Sequence, residues 1–129
     1  MRKKLIAAAA AVPLLLAAAA LGRFGAAMPA AEIIRKLAGM RVAVTLFRLE
    51  HKTFPGSFEE LQAAGKLEAV PGIKLAWHRG AAKVTAVPSF MIRDTGAWAY
   101  VNDPADKQFG LIYIDCGHKD EKGRFWSEF

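Results

Sequence analysis

A chain of 129 residues has room for one domain, and its 53% hydrophobic and 23% charged residues, with three Trp, two Tyr and eight Phe, argue against disorder. The formal charge is +6, but Arg2, Lys3 and Lys4 belong to the terminal segment; beyond them 15 basic residues face 12 acidic ones, leaving +3. Those charges are scattered and form no basic–aromatic platform, which argues against a nucleic-acid partner, and the single Cys116 excludes an internal disulfide framework and any multi-cysteine zinc site.

Residues 1–29 are expected to stand apart from the folded domain, residues 30–129. Met1-Arg-Lys-Lys4 is a positive n-region, and Leu5 to Leu21 is an uncharged run of Ala, Val, Leu, Ile and Pro13, the pattern of an export signal. Its seventeen residues would span roughly 25 Å as a helix, just short of the ~30 Å hydrocarbon core, so length leaves a cleaved signal peptide and a retained membrane tether both open. Pro13 and the small residues Gly25-Ala26-Ala27 fit cleavage, whereas a helical pattern that resumes near Ala30 fits one long rod. Either way the domain is expected to be exported: periplasmic, secreted, or held at the inner membrane facing the periplasm.

Ile33, Leu37, Met40, Val44 and Phe47 follow one another in steps of four and three and draw a stripe on one face of a helix. This predicts a helix from about Ala30 to about His51, ending before Phe54-Pro55-Gly56 because proline disfavours helix in its predecessor. Ser57-Phe-Glu-Glu60 reads as a capping box that opens a short helix to about Ala64. Gly65 then serves as a left-handed terminus, Lys66 lies near the negative end of the dipole, and Leu67 packs back.

After Pro71-Gly72 the period changes to two, with Ile73, Leu75 and Trp77 on the buried side of a predicted strand. Arg79-Gly80 turns the chain, and Lys83 to Val87 is expected to pair back. Ala97 to Val101 and Leu111 to Asp115 are two further strands, separated by the turn-rich Asn102 to Gly110. The expected fold is α+β: a long N-terminal helix packed on a small antiparallel sheet of about four strands.

The segment Leu46 to Leu61, with Phe47, Phe54, Pro55 and Leu61, resembles the helix exit of type IV pilins and type II secretion pseudopilins. Asp94-Thr-Gly-Ala-Trp-Ala-Tyr100 resembles the aspartate and tryptophan that lead into a strand in those families, and Leu111 to Gly117 the strand entering their C-terminal loop. The resemblance, over about Ala30 to Gly123, implies a pilin-like fold in which Phe47, Phe54, Pro55, Leu61 and Trp98 are structural. Leu5 to Leu21 lacks the Gly-Phe processing junction and the assembly glutamate of such precursors, so a prepilin peptidase is expected not to cut here.

His51, His78 and His118 are separated by 27 and 40 residues, with none at the i, i+4 spacing of helical zinc ligands, so three separate surface histidines are expected rather than a shared metal site. Cys116 precedes His118 by two residues, a spacing that shares a face on a strand and could activate a thiolate. No Gly-Cys-Gly elbow, helix N-terminus or orienting Asn/Asp pattern surrounds it, so Cys116 reads as a small hydrophobe at a strand end. Major pseudopilins hold calcium in the C-terminal loop, which brings Asp103, Asp106, Asp115 and Asp120 into view. Their lack of EF-hand spacing and the interleaved Lys107, Lys119 and Lys122 favour ordinary Asx turns. Trp77 and Trp98 are expected in the core, and Trp126 as a surface anchor.

No catalytic, cofactor or metal residue is assigned at this level. The expected function is a non-enzymatic, exported pilin-like or pseudopilin-like protein of a cell-envelope secretion or pilus-type system, with protein partners and a membrane tether through Leu5 to Leu21. The alternative is a periplasmic or secreted binding module with a cleaved signal peptide.

Overall fold

The computed structural model describes residues 26–129, so the reading of Leu5 to Leu21 lies outside the described residues. Helix α1 (Ala30–His51) and the short α2 (Phe58–Ala63) precede strands β1 (Val84–Val87), β2 (Trp98–Val101) and β3 (Ile112–Ile114), and a 3-10 turn (Trp126–Glu128) follows. The fold is α+β, with one long helix on a small three-stranded sheet. No helix among the described residues is long and apolar enough to cross a membrane.

The stripe read from the sequence organises the core. Ile33, Leu37, Met40, Val44 and Phe47 are all buried and pack with Phe58, Leu61, Trp98, Tyr100, Ile112 and Ile114. Lys52 closes α1 in the left-handed region (φ 63°), its N–H donating to the Arg48 carbonyl at 2.8 Å. The capping box forms at α2: the Ser57 hydroxyl accepts from the Glu60 N–H, and the Glu60 carboxylate accepts from the Gly56 N–H. Gly65 takes the left-handed terminus (φ 70°), and Lys66 forms an ion pair with Glu50 on α1. The Tyr100 hydroxyl donates to the Pro55 carbonyl at 2.5 Å, pinning the turn between the helices to the middle strand.

The sheet departs from the expected antiparallel arrangement of about four strands. Its order is β1-β2-β3: β1 runs parallel to β2 with Val84 opposite Trp98, and β3 runs antiparallel with Tyr100 opposite Ile112. Ile73 and Leu75 are buried as expected, but the predicted strand around them reduces to one bridge, Ile73 to Ala81. The reason is local. Trp77 sits in the left-handed region (φ 69°), which breaks the extended run and leaves its indole 87% exposed, while the Lys74 ammonium donates to the Leu75 and His78 carbonyls and holds the turn. Val84–Val87 pairs instead with β2, and the short irregular segment 88–97 makes the return between the two parallel strands.

That segment also covers the far face of the sheet. Trp98 and Tyr100 point toward the helices, while Ala99 and Val101 pack with Val87, Tyr113, Met91 and Leu111. Phe90 leans on the Tyr113 ring, and the Tyr113 hydroxyl donates to the Met91 carbonyl at 2.7 Å. With both faces covered, every residue of β2 is buried, so its sequence carries no polar–apolar alternation. Trp98 is buried as expected. Trp126 is also buried, correcting its reading as a surface anchor, because the 3-10 turn folds back onto the core beside Phe129.

Candidate metal centre

One end of the sheet gathers four metal-binding side chains from three loops. His78 Nε2, Asp94 Oδ1, Cys116 Sγ and His118 Nδ1 all lie within 4.8 Å of one another. His78 Nε2 stands 3.2 Å from Asp94 Oδ1 and 3.4 Å from Cys116 Sγ, and His118 Nδ1 stands 3.3 and 3.5 Å from the same two atoms. The two imidazoles meet edge to face, with centroids 5.2 Å apart.

Each position has a local cause. The left-handed Trp77 turns the chain so that His78 points inward, and its side chain packs closely against Gly96, where an added Cβ would come within 2.3 Å of His78 Cγ. Gly96 itself has φ 72°, so both space and backbone require glycine there. Asp94 is left-handed as well (φ 59°). Its loop is held from below by Asp115, the only buried charged residue among the described residues, whose carboxylate accepts from the Arg93, Asp94 and Thr95 N–H groups and from the Thr95 hydroxyl. Two left-handed non-glycine residues, Trp77 and Asp94, thus flank one cluster, the kind of backbone cost that persists where a surrounding structure enforces it.

Backbone amides orient the ligands themselves. The Gly117 N–H donates to Asp94 Oδ1 at 2.8 Å and the His118 N–H to Cys116 Sγ at 3.3 Å. The Gly117 contact, with smaller contributions from the two histidines, holds the Asp94 carboxyl below the usual carboxylate range; burial pushes the Cys116 thiol up, since a lone thiolate would be desolvated there. Cys116 is fully buried and His78 nearly so, while Asp94 and His118 are half-exposed and form the outer rim.

This arrangement corrects the reading of three separate surface histidines. Only His51 stands alone, stacked on Phe47 at the end of α1. Cys116 is the buried residue expected at a strand end, and its contact with His118 is made, but His78 and Asp94 complete the group from 38 and 22 residues upstream. Asp94 carried no site reading in the sequence; the only local signal was the Cys-Gly-His run of Cys116 to His118.

The other loop carboxylates behave as turn formers. Asp103 accepts from the Ala105 N–H, Asp106 from the Gln108 N–H, and Asp120 from the Lys122 and Arg124 N–H groups. Asp115 is the exception, organising the Asp94 loop instead. A surface cleft between α2 and β1, lined by Phe58, Glu59, Gln62, Val70 and Lys83, contains none of the cluster residues.

No protein-family model, curated protein or solved structure matches this chain.

Proposed function

We propose that this chain is a non-enzymatic, exported pilin-like or pseudopilin-like structural and interaction protein of a cell-envelope secretion or pilus-type system. The observation that carries the reading is the outer face of α1. Val42, Leu46 and Leu49 are exposed on the side opposite the buried stripe, and Ile34 is partly exposed on its flank. A helix apolar on both sides has one face in the domain core and a second available to another helix. The turn at Phe54-Pro55, fixed by Tyr100, sets the angle at which α1 leaves the head and supports the same reading. The occupant of the outer face is the corresponding helix of a pilin-like partner subunit, with Leu5 to Leu21 as the tether that brings the two together.

A photo-crosslinking residue in place of Val42, in the full-length chain in its native cell, tests this against the same residue in place of Glu59 on α2. The expected result is a membrane-fraction adduct at position 42, identified by mass spectrometry as a pilin-like or pseudopilin-like subunit, and none at position 59. A soluble chain beginning near Ala27 to Ala31, with no adduct at position 42, would overturn the reading in favour of a binding module with a cleaved signal peptide.

A further inference from the structure

We propose that His78 Nε2, Asp94 Oδ1, Cys116 Sγ and His118 Nδ1 bind one zinc ion in a closed, four-coordinate site that staples the loops at one end of the sheet. This proposal is independent of the pilin-like reading. The separations carry it. Four atoms joined by edges of 3.2, 3.3, 3.4 and 3.5 Å have a common centre about 2.0 Å from each if tetrahedral and about 2.4 Å if flattened toward a square, against zinc bonds of about 2.0–2.3 Å.

A hydrogen-bonded network explains the same geometry less well. The two nitrogen–oxygen distances exceed the ~2.9–3.0 Å mode for N–H···O bonds. Each imidazole nitrogen also stands nearly equidistant from the Asp94 oxygen and the Cys116 sulfur, whereas a single N–H points along one direction. A cation between all four satisfies both nitrogens, the thiolate and the carboxylate together.

Donor chemistry selects the metal class. Calcium and magnesium take oxygen ligands, so one sulfur and two imidazoles exclude them, while imidazole with thiolate suits zinc or copper. The Asp94 oxygen is as near to the histidine nitrogens as the sulfur is; a blue-copper site would instead have a trigonal His2Cys set with a long, weak axial ligand. Four protein donors leave no open position, which makes the site structural rather than catalytic. Its support is already assembled: Gly96 under the His78 ring, Asp115 under the Asp94 loop, and the Gly117 and His118 amides on the oxygen and sulfur. The ion ties three segments that regular strands do not, near residues 78, 94 and 116–118, in a chain with no disulfide.

The test is metal analysis of the full-length chain purified without chelator, with zinc and, separately, cobalt(II) added to the stripped protein. The expected result is one zinc per chain and, with cobalt, the intense visible bands of a tetrahedral site plus a thiolate charge-transfer band. Cys116→Ser should abolish the charge-transfer band. His118→Ala, at a half-exposed position, should weaken zinc binding by more than the roughly 10–100-fold that loss of an outer-shell partner costs, with circular dichroism checking that the variant is folded. A folded wild-type chain that takes up no zinc, a cobalt spectrum without the thiolate band, or His118→Ala binding zinc as tightly as wild type would overturn the proposal. Selective uptake of copper with an intense blue absorption would overturn the choice of zinc.

Discussion

Removing one oxygen atom from Tyr100 isolates what holds the turn between the two helices. Tyr100 is fully buried, its ring meets Phe58 edge to face at 5.1 Å, and its hydroxyl donates to the Pro55 carbonyl beside the buried Pro55 ring. Tyr100→Phe keeps the ring and the edge-to-face contact, so cavity formation contributes little. The loss is the hydrogen bond, which leaves the Pro55 carbonyl poorly solvated; removing one partner of such a buried pair costs about 1–3 kcal/mol, and about 2 kcal/mol is expected. For a domain of about 100 residues, at about 4–8 °C per kcal/mol, the melting temperature should fall by roughly 8–16 °C.

Circular dichroism melts of the wild type, Tyr100→Phe and Tyr100→Leu give the assay, with the leucine variant expected to lose still more through the missing ring. The hydroxyl also predicts an alkaline signature. Burial, reinforced by Glu60, pushes the Tyr100 phenol well above its ordinary value, so the folded state holds this proton more tightly than the unfolded chain. That contribution is complete below about pH 10 and is lost as pH rises above it, so Tyr100→Phe should flatten the alkaline fall in stability. A phenylalanine variant that melts with the wild type at neutral pH would refute the argument that this contact fixes the turn.

Three further outcomes follow from the same geometry. Val44→Asp buries an unpaired carboxylate against the sheet and should cost several kcal/mol; an unchanged melting temperature would mean that the Ile33-to-Phe47 face does not support the core. Asp115→Asn leaves one acceptor oxygen for four donors and should cost about 2–4 kcal/mol, while weakening zinc binding roughly 10–100-fold through the loosened Asp94 loop; equal zinc affinity by competition titration would separate the two roles. Calcium added to the zinc-loaded chain should leave the melting temperature unchanged, because Asp103, Asp106 and Asp120 already accept backbone donors, and a reversible rise of several degrees would contradict that reading.

What could be read from the sequence was whatever a local period or a cap determines. The Ile33-to-Phe47 stripe, the Ser57 cap and the Gly65 terminus each depend on neighbours within a few residues, and each formed where expected. The strand around Ile73 carried a valid period of two, yet one left-handed residue, Trp77, ended it. Nothing in the residue type at position 77 announces a positive φ. β1 was recognised as a strand, but its partner was not, because parallel pairing is decided by what the intervening segment can cover, here the Tyr113 face. The cluster was hidden for a related reason. Its ligands come from three separated loops, and spacing rules detect only ligands that share a helix or a hairpin.

The borders of the sheet have a consequence for how this domain can join others. Among the described residues β1 has one unpartnered side, yet it is only four residues long and flanked by Lys83 and Pro88, a cation and a residue without a donor, both of which discourage strand addition. At the opposite border β3 is three residues long, and the Arg41 guanidinium reaches from α1 to donate to its Ile112 carbonyl and to the Phe129 carbonyl. Neither rim offers a template for extending hydrogen-bonded ribbons from molecule to molecule. An association of the kind proposed above would therefore rest on side-chain packing along the helix, a mode that can be reversed by sliding or tilting one rod against another without unravelling any backbone ladder.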